Sequence, residues 1–253
     1  MLNSRNPKYS LLAAVWGTVW LLLLAAGLTA HLARGTVLSS METALKAGSS
    51  LALVLFGWIN LAILPQERRR IAMFVALGMT LGCLGDASPL LGSRWPDPQR
   101  TLGNMVLFGL GHLAYIRACV VACRTVKNGT RQWQWYGSIA LWLLLGCLTW
   151  YFAAYRGPRF PVLKLPALGY TLLLATTTGV ATACARSCRS FIAVAVGAML
   201  FLASDLLLAV WIFHDRVYRP FDLVWLTYGI GQMLIVFGVF NHVRNVDVDP
   251  TNP

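Results

Sequence analysis

The sequence predicts an all-α integral membrane protein, a bundle of eight transmembrane helices, and three observations carry that prediction. Apolar residues make up 57% of the 253-residue chain and charged residues only 12%, against about 25% charged in soluble domains. Mean hydropathy is +0.63. Apolar runs of about 20 residues, the length that crosses a bilayer as a helix, recur along the whole chain. Short basic segments separate them, with no strand-type alternation, no Gly/Ser linker and no internal repeat. The chain therefore reads as a single eight-helix domain over residues 1–253. The net charge of +12 then serves membrane orientation and anionic headgroups, not nucleic acid.

The first span runs from Leu11 to Ala30, behind Arg5 and Lys8. Its core is too long for a signal peptide and further spans come after it, so it reads as a retained helix. Leu45–Leu64 is the second, opened by Lys46 and closed by Pro65, and Ile71–Leu91 is the third, with Asp86 inside LGCLGDASPLL. Thr101–Cys123 carries His112, Tyr115 and Arg117 in the fourth; Trp133–Ala154 and Val162–Cys184, the latter with Tyr170, are the fifth and sixth. Ser190–Phe213 and Phe221–Asn241 complete the set.

An even number of spans puts both termini on one side. That side receives Arg5, Lys8, Arg68, Arg69, Arg70, Arg124, Lys127, Arg131, Arg186, Arg189 and Arg244. The other receives Arg34, Arg94, Arg100, Arg156, Arg159, Lys164, Arg216 and Arg219. Eleven against eight favours both termini in the cytoplasm. The short loops and the lack of an organelle signal point to a bacterial inner membrane. Cys83, Cys119, Cys123, Cys147 and Cys184 fall in or at the ends of apolar runs and Cys188 in a basic loop. They read as small packing residues, with neither a zinc site nor a disulfide framework expected.

Against this apolar background a few polar residues stand out. Residues 197–236 form a hairpin of two spans. Ser204 and Asp205 lie on the first, and Tyr228 and Gln232 lie one helical turn apart on the second. A carboxylate at membrane depth costs about 2.5–3.5 kcal/mol on insertion scales, so it calls for a partner, a cavity or a function. At about 1.5 Å per residue, Asp86 lies about 8 Å, Asp205 about 12 Å, Tyr228 about 10 Å and His112 about 16 Å from the same end of the bundle. Lys46 opens its span at that end. One Asp can satisfy an orphan backbone group near a helix terminus, and one His is commonly a packed histidine. Five polar groups gathered in one half of the membrane from five helices argue for a site. Two carboxylates, a His and two tyrosines suit general acid–base chemistry of the kind glycosidases use. They equally suit a proton relay in a lipid or proton-coupled transporter, or a metal site, although one central His with two Asp is a thin ligand set for zinc.

The motifs decide among these. GAMLFLASDLLLA followed by TYGIGQMLIV resembles the C-terminal signature of the YhhN-like lysoplasmalogenase family, an SD dipeptide and then a Tyr and a Gln four apart. LGCLGDASPLL resembles its GD helix, FGLGHLAYI its H-x-x-Y helix, and LPALGY its segment ending in Tyr170. Lys46 stands where the family has Lys-Pro, with Ala47 in place of the proline. The resemblance implies a multi-pass membrane ether hydrolase that cleaves the vinyl ether of lysoplasmalogen. Its products are an aldehyde and glycerophosphoethanolamine or glycerophosphocholine. It implies Asp86 and Asp205 as catalytic acid and base, Lys46 as a contact to the phosphate of the lysophospholipid, and His112, Tyr115, Tyr170, Ser204, Tyr228 and Gln232 as binding or orienting residues. Neither a metal nor another cofactor is implied.

Overall fold

The computed structural model describes residues 7–33, 35–90, 97–124, 132–216 and 221–245. Arg5, Arg34, Arg94, Lys127, Arg131 and Arg219 of the charge count, Leu91 as a span end, and the side chains of Lys8 and Arg124 lie outside the described residues. Among the described residues there are helices and no strands. Eight helices are long and apolar enough to cross a membrane, so the chain is a multi-pass membrane protein. They are α1 (Pro7–Leu32), α3 (Glu42–Ile63), α4 (Gln66–Ala87), α5 (Gln99–Arg124), α6 (Gln132–Trp150), α7 (Lys164–Ser187), α8 (Ile192–His214) and α9 (Leu223–Asn245); a single turn, α2 (Val37–Ser40), lies between the first two. Short 3-10 turns lead into α7 and α8, and a π-helical turn, Tyr151–Tyr155, extends α6.

Local chemistry sets the breaks. Leu64, held extended (φ −75°, ψ 146°) ahead of Pro65, ends α3, as the residue before a proline prefers. Asp215 closes α8 in the left-handed region (φ 58°), and its N–H returns to the Trp211 carbonyl. Asp222 caps α9, its Oδ1 accepting from the Trp225 N–H at 3.1 Å, the preferred arrangement at a helix start.

Two boundaries differ from the sequence expectation. The second span begins at Glu42, so Lys46 lies one turn inside the helix instead of opening it. The third begins at Gln66 and ends at Ala87, not Leu91. Pro89 has no N–H to give the Gly85 carbonyl. That carbonyl accepts from Ser88 instead, at 3.2 Å, and the chain turns out of the helix. Asp86 therefore stands in the last turn of α4.

Sequence neighbours pair as antiparallel hairpins, α1 with α3, α4 with α5, α6 with α7 and α8 with α9. Contacts of α3 with α4, α5 with α7, α7 with α8, and α9 with both α3 and α4 close a ring. The outer helices are α1 and α6, with only 17% and 22% of their apolar windows buried, against 61% for α7. Glycines allow close backbone approach, as packing between helices in lipid favours. A Cβ on Gly197 would lie 2.7 Å from the Gly231 carbonyl oxygen, and one on Gly231 would lie 2.8 Å from that of Gly197. This contact locks α8 against α9.

The expectation of unpaired cysteines is corrected at one position. Cys123 of α5 and Cys184 of α7 form a disulfide, with Cα atoms 5.8 Å apart. They are 61 residues apart in the chain and meet because α5 and α7 pack side by side. Cys83, Cys119, Cys147 and Cys188 are free.

Candidate active site

The ring of helices encloses the polar groups toward the end of the bundle where α4 and α8 finish and α3, α7 and α9 begin. On α4 the small residues around Asp86 make room for it. A Cβ on Gly85 would lie 2.7 Å from the Phe108 ring, and one on Gly82 would lie 3.1 Å from Gln232 Nε2. This explains why the aspartate comes after a G-x-x-G run. Asp86 is buried (8% exposed), and its Oδ2 accepts two hydrogen bonds. Ser50 Oγ of α3 donates at 2.5 Å and Tyr228 OH of α9 at 2.7 Å. Gln232, one turn along α9, donates from Nε2 to the Tyr228 oxygen, and its Oε1 lies 3.4 Å from Ser50 Oγ. Phe108, Phe201 and Trp225 pack edge-on around the Tyr228 ring at centroid distances of 5.9, 5.0 and 5.1 Å. The phenol therefore has little freedom to leave the carboxylate. Asp86 sits at the negative end of the α4 dipole, so these donated hydrogen bonds offset an unfavourable position.

Asp205 faces the same space from α8. It is half-buried, and its Oδ2 accepts from Tyr170 OH of α7 at 2.5 Å. The two carboxylates are close enough to interact through their charges. Tyr170 also feels the charge of Asp86, and Tyr228 that of Asp205. Each carboxylate thus has one oxygen, Oδ2, tied by a phenol.

The remaining predicted residues divide. His112 is buried one shell away: its ring meets Phe201 edge-on at 4.4 Å, and Nδ1 lies 3.0 Å from Thr177 Oγ1. Thr177 commits its own hydrogen to the Leu173 carbonyl, so Nδ1 carries the histidine proton and donates. Among the described residues Nε2 is buried without a hydrogen-bond partner. Tyr115 belongs to the α4–α5 contact, its ring over Gly78 and its hydroxyl 3.6 Å from Met79 Sδ. Ser204 is fully buried and bonds the Phe201 carbonyl of its own helix at 2.6 Å. It joins neither carboxylate.

Lys46 differs most from the expectation of a free ammonium awaiting a phosphate. Its Nζ pairs with Asp222 Oδ2 at 2.5 Å and with Glu42 Oε1, one turn earlier on α3. Its charge also lies 5.5 Å from the Trp225 ring centroid. Glu42 Oε1 further meets His31 Nδ1 of α1 at 2.9 Å. Side-chain atoms of His31, Glu42 and Asp222 fall within 4.8 Å of one another, a spacing compatible with a cation. The Lys46 ammonium already holds both of those carboxylates and supplies that charge. This group lies one turn nearer the membrane surface than Ser50.

Four participants escape the sequence reading: Ser50, Glu42, Asp222 and Thr177. Two had a signal. Asp222 immediately precedes an apolar span, the place of an N-cap, and Glu42 stands four residues before Lys46, the spacing of a helical ion pair. Ser50 lies four residues after Lys46, on the same face. Thr177 carries no such mark.

No curated protein and no solved structure matches the chain. The model of the YhhN family matches residues 41–239, a stretch that begins just before Glu42 and ends beyond Gln232. With both carboxylates, their phenol donors and the Lys46 ion pair inside that stretch, the chain belongs to the YhhN family.

Proposed function

We propose that the chain hydrolyses the vinyl ether bond of lysoplasmalogen, in keeping with its YhhN family membership. The observation that carries this reading is the pair of carboxylates on separate helices, Asp86 and Asp205, each tied at one oxygen by a tyrosine, with Asp86 in range of the Asp205 charge. An enol ether needs a proton delivered to carbon and a water activated beside it, and two positioned carboxylic groups supply both.

Asp205 has a single donor and the greater exposure, so it is assigned the acid. It protonates the vinyl β-carbon, and the α-carbon becomes an oxocarbenium ion. Asp86, held as an acceptor by Ser50 and Tyr228, takes a proton from water as that water adds to the α-carbon. The hemiacetal then collapses. Asp205 recovers a proton from its hydroxyl, Asp86 returns one to the glycerol oxygen, and aldehyde and alcohol leave with both aspartates reset. The alkenyl chain lies among the aromatic side chains of α5, α8 and α9, and the headgroup lies toward Glu42, Lys46 and Asp222. The setting is a bacterial inner membrane.

Incubation of the purified protein with lysoplasmenylethanolamine tests the reading. Aldehyde and glycerophosphoethanolamine are expected in equal amounts. Cleavage at the phosphodiester instead, or no product from protein of native fold, overturns it.

A further inference from the structure

An open crevice lies at the other end of the bundle. It has a volume of about 320 Å³ and is bounded by Ala13 of α1, Phe56 of α3, Ala193 of α8, and Phe237, Phe240 and Arg244 of α9. Arg244 lies 16 residues beyond Tyr228 on one helix, which places it about 24 Å from the Asp86 site.

Arg244 is what sets this crevice apart from an ordinary gap between helices. Among the described residues its Nε and Nη2 are buried without a hydrogen-bond partner. Those two N–H groups form the side-on fork with which a guanidinium grips a phosphate in two parallel hydrogen bonds. The guanidinium is also held in place, its carbon 4.6 Å from the Tyr9 ring centroid and 5.9 Å from that of Phe56. Service to the helix end does not account for it. Arg68 Nη1 already donates to the Val243 and Arg244 carbonyls, both at 2.9 Å. Buried donors left unpaired are costly to maintain unless something accepts from them.

We propose that this crevice binds an anionic phospholipid, with Arg244 turning its Nε and Nη2 onto the phosphate and an acyl chain along Phe237, Phe56 and Ala13. The position fits. Arg244 stands in the last turn of a membrane-spanning helix, the depth of the headgroups, with Arg68 beside it. Basic pockets between transmembrane helices at that depth recognise anionic headgroups. The apolar wall selects a lipid over a soluble phosphate, and a volume of about 300 Å³ or more is that of a ligand site. The site is separate from the two carboxylates and does not depend on the hydrolase reading.

Native mass spectrometry of the full chain in detergent, after exposure to micelles containing equal phosphatidylglycerol and phosphatidylcholine, provides the test. Wild-type protein is expected to retain phosphatidylglycerol in preference. Arg244→Gln is expected to lose that preference by about tenfold or more, the worth of one bidentate charged pair. Ala13→Trp fills the crevice and leaves the guanidinium intact, and it should lose the bound lipid while melting as the wild type does without lipid. Added inorganic phosphate should not displace the lipid. Equal retention of the two lipids by wild type, undiminished retention by Arg244→Gln or by Ala13→Trp, or displacement by inorganic phosphate overturns the proposal.

Discussion

At the scale of residues, the two aspartates of the site each have one oxygen committed to a tyrosine hydroxyl. If they work as acid and base, removing either charge removes a proton transfer that typically contributes about 10²–10⁴-fold. Asp86→Asn and Asp205→Asn should each lower kcat on lysoplasmalogen by about that factor. The double variant should be little slower than either single one, because groups acting as a unit are non-additive. A folded single variant that turns over like wild type would defeat the two-carboxylate mechanism. Ser50 gives a finer test. Its hydrogen bond to Asp86 is one to a carboxylate, worth about 1.5–3 kcal/mol, so Ser50→Ala should slow kcat by about ten- to a hundredfold and leave KM nearly unchanged. Ser204→Ala should turn over close to wild type, since Ser204 bonds only the carbonyl of its own helix. Steady-state kinetics on the two serine variants separates a neighbour in sequence from a neighbour in space.

At the scale of elements, Lys46 works as a staple. It joins α3 to the start of α9 through Asp222, and α3 to α1 through Glu42 and His31. Asp222 serves both the cap of α9 and this ion pair. Removing the lysine leaves two carboxylates facing each other. A broken buried pair costs about 3–5 kcal/mol, and the partial solvation of Glu42 favours the lower end. Lys46→Met should therefore lower the melting temperature measurably. Adding Glu42→Gln and Asp222→Asn should restore much of it, because asparagine still caps a helix. If Lys46→Met raised KM and left the melting temperature unchanged, the ammonium would be a substrate contact after all. The α8–α9 contact is the other constraint on the site, because it sets where Asp205 stands relative to Tyr228. Gly231→Leu would drive a side chain into the Gly197 carbonyl and the Phe201 N–H, which lie 2.8 and 3.0 Å from its Cβ position. The result should be a loss of about 1–3 kcal/mol or more, read by thermal unfolding, together with lost activity.

At the scale of the whole molecule, the eight spans among the described residues predict that both ends of the chain lie on one side, and the basic bias of the loops predicts the cytoplasm for that side. Reporter fusions at both ends should give matching cytoplasmic signals, and opposite signals would sink the topology. The Lys46 ammonium already neutralises the carboxylates of the His31, Glu42 and Asp222 group. Activity should therefore survive exhaustive chelation, and zinc-restored activity after chelation would move those three residues into a ligand role.

The sequence by itself determined the features that chain-local physics dictates. Burying backbone in lipid demands helices of about 20 residues, so composition and run length alone reveal the eight spans. The cost of a carboxylate in hydrocarbon makes Asp86 and Asp205 conspicuous before any fold is known. Pairing, in contrast, depends on which helix faces lie together, and that is a property of the packed ring. Only the tertiary structure brings Ser50 and Tyr228 to one oxygen of Asp86, turns Ser204 away from Asp205, and commits Lys46 to Glu42 and Asp222. The same packing joins Cys123 to Cys184 across 61 residues of chain. A hydroxyl such as Ser50 costs little to place in a helix and leaves no mark on hydropathy. Its role appears only when α3, α4 and α9 close around the carboxylate.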